Sequence, residues 1–176
     1  MPENPTPLPP TRGLGAGMIV VGWLAAIAMI AFLFNGWLQR QNNPNSDPDT
    51  IVVDGAPVVR LLANRQGHYL ATGKINGVEA DFLLDTGATS VAIPGSIAAR
   101  FGVRGGQAIQ METANGKAVG YTTTLESVQL GGIVRRNVSA IIAPDFPGQE
   151  ILLGMSFLRH LKMEQNRKQL TLRAYK

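Results

Sequence analysis

The sequence predicts an all-β domain, rolled into a closed or partly closed barrel with one or two short helices, and three observations carry that prediction. Short strand-like runs flank turn residues, twice around Asn-Gly (Asn76-Gly77 and Asn115-Gly116), the dipeptide best suited to a tight hairpin turn. Helical signals are confined to "GSIAARFG" after Pro94 and "GMSFLRHL" after Gly154. The folded part, residues 58–176, is about 120 residues, enough for one small core.

Taken in order, the elements are as follows. "HYLATGKI" and "VEADFLLD" form the first hairpin, and "AIQMETA" and "KAVGYTTTLESVQL" the second. "VRRNVSAIIAP" reads as a further strand, and "KMEQ" and "QLTLRAY" bracket a turn near Asn166-Arg167.

The segments before the domain differ from it in composition. Residues 1–12, "MPENPTPLPPTR", are proline-rich and expected to be extended and disordered. Gly13 to Phe34 runs for 22 positions without a charge, and a membrane-crossing helix is expected over residues 13–38. Trp37 lies near its end, where an amphipathic ring suits the headgroup region. A cleaved signal peptide is the rival reading; its apolar core is normally shorter, and no clear small-x-small site follows Phe34. Basic residues flank the span almost equally, so charge does not orient it. The short amino-terminal tail favours the tail inside and the domain outside a cytoplasmic membrane, on the periplasmic side of an inner membrane. Residues 39–57, polar and broken by prolines, are expected to be a flexible linker.

Several function classes are disfavoured. Beyond residue 50 there are 14 Lys or Arg against 9 Asp or Glu, but the cations are scattered and not interleaved with aromatics, so no nucleic-acid partner is expected. His68 and His160 are the only histidines and there is no cysteine, so neither a metal nor any other cofactor is expected. "GVRGGQ" and "LGGIVRR" lack the spacing of phosphate-binding loops.

The stretch "FLLDTGATSVAIP", Phe82 to Pro94, sets an aspartate against apolar strand residues. Such a carboxylate is costly unless its oxygens are hydrogen-bonded or used. Asp85-Thr86-Gly87 is a tight bend in which Gly87 lets backbone amides approach the carboxylate, and stiff, β-branched Thr86 is suited to locking the loop through its hydroxyl. About 67 positions later comes "EILLGMSFL", an apolar strand, a glycine and a helix.

An Asp-Thr-Gly turn after a buried strand, followed by an Ile-Leu-Leu-Gly strand leading to a helix, resembles the retropepsin-like aspartic proteases. "KINGVEADFLLDTGATS" looks especially like the bacterial, membrane-anchored, single-domain type. The resemblance implies that Asp85, Thr86 and Gly87 are catalytic and that Leu152, Leu153 and Gly154 buttress the catalytic loop. It also implies that Thr113, Ala114, Asn115 and Gly116 form a flap which, with Ala88, contacts a bound peptide. An ordinary surface hairpin is the alternative for that second Asn-Gly turn. Family members carrying serine at the Ala88 position gain a hydroxyl hydrogen bond to the carboxylate; its absence here implies activity nearer neutral pH.

Aspartic proteolysis uses two carboxyl groups that share one proton across a water. Asp145 lacks the Thr/Ser-Gly turn, Asp81 belongs to a hairpin and Asp54 to the linker, so the second carboxyl is expected from Asp85 of another copy in a homodimer. The expectation is a membrane-anchored endopeptidase acting on peptide or protein substrates. Two alternatives stand beside it: a catalytically silent peptide-binding or assembly module, and a protease that processes its own linker at "NNPNSDPDT".

Overall fold

The structure is a computed structural model and describes residues 12–113 and 116–175; the proline-rich tail up to residue 11 lies outside them. It comprises two units, Met1–Gln39 and Arg40–Lys176. In the first unit lies most of helix α1 (Arg12–Asn42), which is 31 residues long. Its stretch Gly17–Phe34 exposes every side chain and is, among the described residues, the one helix long and apolar enough to cross a membrane.

The second unit is built from two sheets. Seven strands make the larger one: β3 (Leu70–Ile75), β4 (Val78–Leu84), β5 (Val91–Pro94), β6 (Ala108–Thr113), β7 (Gly116–Leu130), β8 (Ile133–Ala143) and β9 (Ile151–Leu153). Their spatial order is β3-β4-β9-β5-β8-β7-β6, and β3 also pairs with β7, which closes the sheet into a barrel. The 15 residues of β7 make this possible, because its first half pairs with β6 and its end, at Val128 and Gln129, with β3. The core contains Phe82, Ile93, Leu125, Ile151, Leu153 and Phe157, all fully buried. At Asn76-Gly77 both residues have positive φ (49° and 83°), the backbone of the tight turn expected there.

The second sheet is antiparallel, in the order β1-β2-β11-β10, from β1 (Asp49–Val53), β2 (Ala56–Leu62), β10 (Leu161–Asn166) and β11 (Gln169–Ala174). Here the structure differs from the expected linker over residues 39–57. Asp54-Gly55, with φ of 51° and 77°, turns β1 back onto β2, so the second half of that stretch is a hairpin. The first half is anchored by Asn45, 4% exposed. Its side chain donates to the Leu62 and Leu70 carbonyls (2.9 and 2.5 Å) and accepts from the Leu62 amide (2.6 Å), and Thr72 N–H donates to its backbone oxygen (3.0 Å). One amide side chain thus joins the end of β2 to the start of β3. A polar, proline-broken composition conceals this, because the bonds are made to backbone atoms far along the chain.

The two expected helices are reduced to a 3-10 turn, Ala98–Phe101, and α2 (Met155–Leu158), of four residues each.

Candidate active site

Asp85 follows the last residue of β4, where the chain leaves the barrel wall. The register pairs Phe82 with Ile151, Leu83 with Leu152 and Leu84 with Leu153 in parallel, and Asp85 N–H extends the ladder to the Leu153 carbonyl (3.2 Å). β9 lies between β4 and β5, so the loop leaving β4 at Asp85 returns to the sheet beyond the strand that buttresses it. Leu152 is half-buried, while Leu153 and Gly154 are buried beside the loop.

Residues 85–88 form a turn closed by Ala88 N–H to the Asp85 carbonyl (3.3 Å). Gly87 N–H donates to Asp85 Oδ1 at 2.8 Å, so one carboxylate oxygen is held by a backbone amide. The expected reason for glycine here was unusual backbone freedom. The structure locates it elsewhere: Gly87 has no positive φ, but a Cβ would lie 3.2 Å from Asp85 Oδ1, closer than ordinary van der Waals contact.

The loop is fastened from beneath by the start of α2. Met155 N–H donates to the Ala88 carbonyl (2.8 Å), Ser156 N–H to the Thr89 carbonyl (3.0 Å), and Val91 N–H to Ser156 Oγ (3.0 Å). These amides belong to a helix's first turn, which has no partners of its own for them. Gly154 is required for the approach, since a Cβ there would collide with the Ser90 and Ala88 carbonyl oxygens. Ser156 was not legible as a site residue, and no sequence signal marks it beyond its place after "ILLG".

Asp85 itself is half-exposed, Thr86 and Gly87 are exposed, and Ala88 is half-exposed. The structure therefore brings Asp85, Thr86, Gly87 and Ala88 together with Leu152, Leu153 and Gly154. Of the proposed flap residues, Thr113 ends β6 and Gly116 begins β7, and the two pair with each other. Ala114 and Asn115 lie outside the described residues. Through the sheet, β7 reaches the Asp85 loop by way of β8 and β5 on one side and of β3 and β4 on the other. Two shallow clefts, one edged by Asp81, Arg100 and Phe101 and the other by Ile51, Arg60 and Lys162, do not include Asp85.

His160, just beyond α2, has its imidazole held below the ordinary value by lost hydration and then by Arg135 and Arg159, so it is neutral near pH 7. Arg159 Nε donates to its Nε2 at 3.4 Å.

A closed barrel with an Asp-Thr-Gly loop cradled between a parallel strand and a helix start defines the aspartic protease class. Residues 71–160 match the family described as "gag-polyprotein putative aspartyl protease", and the chain belongs to this retropepsin-like aspartic protease family. A protein of Sinorhizobium sp., described as an uncharacterized protein in the cobV 5'region, is 35% identical over 123 residues. That alignment covers 67% of this chain and 53% of the relative, so the chain spans about half the length of the curated relative it matches. The crystal structure of a retropepsin-like aspartic protease from Rickettsia conorii aligns with a TM-score of 0.56 at 24% identity, over 73% of this chain and 96% of that one. The EIAV protease aligns less closely, with a TM-score of 0.44 at 21% identity, over 55% of this chain and 89% of that one.

Proposed function

We propose that this protein is a membrane-anchored aspartic endopeptidase whose water is activated between the Asp85 residues of two identical chains. The observation that carries the reading is the Asp85 loop: a half-exposed carboxylate with one oxygen held by Gly87 N–H, on a turn fastened by β9 and α2. In the two-fold pair, one Asp85 is ionised and the other protonated. The ionised group takes a proton from the water while the water oxygen attacks the scissile carbonyl carbon; the protonated group donates to the carbonyl oxygen. Collapse of the tetrahedral adduct passes a proton to the amide nitrogen and breaks the C–N bond. Thr86 is exposed and without a hydrogen bond among the described residues, which supports its binding a counterpart across the two-fold axis.

The apolar stretch Gly17–Phe34 would hold both copies in one plane and raise their effective concentration. We assign the chain to an inner membrane with the domain on the periplasmic side, and the β6–β7 hairpin to the closing flap over an extended peptide. Cleavage of its own linker is the less favoured outcome, because Asn45 is buried and its backbone carbonyl is bonded to β3.

The test uses the full chain in detergent micelles with an unfolded protein substrate across a pH series, beside Asp85→Ala. Hydrolysis by the parent chain and none by the variant is the expected result. Mixing the two should lower activity further than dilution alone, since mixed pairs hold a single carboxyl group. Inertness of both chains with retained peptide binding would overturn the enzymatic reading in favour of a binding module, and cleavage confined to the chain's own residues 39–57 would replace it with self-processing.

A further inference from the structure

Three separate segments meet at one end of the domain. Asn64 Nδ2 donates to the Asn42 carbonyl (3.3 Å) and Arg65 Nη1 to Gln41 Oε1 (2.9 Å), so the β2–β3 loop holds the segment that follows the apolar helix. Ala63 N–H donates to the Lys168 carbonyl (2.7 Å), which brings the β10–β11 turn to the same place. Residues 40–43, 63–68 and 166–168 carry Arg40, Arg65, Arg167 and Lys168, with His68, and no Asp or Glu. Arg65, Arg167 and Lys168 are exposed, and none is in an ion pair among the described residues. The carboxylate bonded to the segment, Asp81, already accepts from Thr72 Oγ1 (2.6 Å) and Asn43 Nδ2 (3.3 Å).

On the anchoring reading, chain length sets an upper limit to the distance between this basic end and the membrane. Gln41 is seven positions after Phe34, the last residue of the apolar stretch, and seven residues reach no further than about 25 Å even when fully extended. The chain is then gripped by the bonds just described and by Asn45, leaving no long tether to carry the domain away. We propose that the Arg65–Arg167–Lys168 end is a docking surface for anionic phospholipid headgroups, which sets the domain's orientation on the bilayer. The inference rests on the anchoring reading above. Basic residues beside an anionic leaflet each favour the bound state by a factor of about five, so the three together shift the docked-to-undocked ratio by about 100-fold. The effect is electrostatic and must weaken as salt shortens the screening length.

The chain contains no cysteine, so Gln66→Cys gives one labelling site on this surface. The full chain carrying a donor dye there is reconstituted into vesicles with acceptor-labelled headgroups, made of phosphatidylcholine alone or with phosphatidylglycerol. Transfer is expected to be higher in the anionic vesicles, and the excess to vanish at about 0.5 M salt. The excess should also be lost in Arg65→Glu/Arg167→Glu/Lys168→Glu. Lipid charge and salt are varied on the otherwise native chain, so a folding defect in the triple variant leaves the outcome readable. Equal transfer in both lipids from a chain that resists alkaline carbonate extraction overturns the docking proposal and leaves the anchor standing. A chain that carbonate releases overturns the anchoring reading and the docking with it.

Discussion

Asn45, bonded to the end of β2 and the start of β3, and Asp85, just past the end of β4, are both polar residues set against strands, and they are used in opposite ways. The Asn45 side chain is spent inside the fold: its amide nitrogen serves two carbonyls and its oxygen an amide. Among the described residues the Asp85 side chain makes one bond, from Gly87 N–H to Oδ1, and the residue is half-exposed. Buried polar atoms are tolerated when satisfied, and then contribute to stability. A charged group left with spare acceptor capacity at a surface is instead available for chemistry. On the proposed reading, Asn45 is a structural clamp and Asp85 the functional group.

Removing the open carboxylate sharpens this contrast most. Asp85→Asn should lower peptide hydrolysis by about 10³-fold or more, while thermal unfolding moves by less than about 0.5 kcal/mol. A destabilisation of several kcal/mol would mean that Asp85 is a structural residue like Asn45. The converse variant, Asn45→Ala, strands the Leu62 amide and the Leu62 and Leu70 carbonyls, and should cost about 2–4 kcal/mol in denaturant unfolding. Its turnover per folded molecule should remain that of the parent; a loss of turnover would break the division between clamp and catalyst.

Gly154→Ala tests the cradle shared by fold and site. The added methyl meets two backbone carbonyls that cannot rotate away, so we expect about 2–3 kcal/mol of destabilisation together with lost activity. Gly87→Ala is milder. Its methyl displaces the Asp85 carboxylate by a few tenths of an ångström, and activity should fall about 10-fold with stability changed by under about 1 kcal/mol. The smallest effect belongs to Ala88→Ser, which supplies a hydroxyl beside the carboxylate and should lower the pH optimum by under about one unit. An optimum that rises instead would contradict that placement of Ala88.

Several features were legible along the chain because their causes are local. Asn76-Gly77 adopts the positive φ angles its composition favours, and the strands on either side follow from β-branched and apolar runs. Asp54-Gly55 carries the same kind of signal, and its hairpin was obscured by the polar, proline-broken residues before it. Asn45 gave no signal of any kind, because its partners, Leu62, Leu70 and Thr72, lie 17 to 27 positions away.

The amino-acid order by itself determined the all-β class, the apolar amino-terminal helix and the Asp-Thr-Gly bend, since turn geometry, hydrophobic length and glycine's missing Cβ act between near neighbours. Only the tertiary structure decided that β9 runs parallel to β4 and continues its ladder to Asp85, that the first amides of α2 hold the loop, and that the supposed linker is clamped. Those outcomes depend on pairing backbone groups tens of residues apart, which takes place only when the barrel has closed around its core.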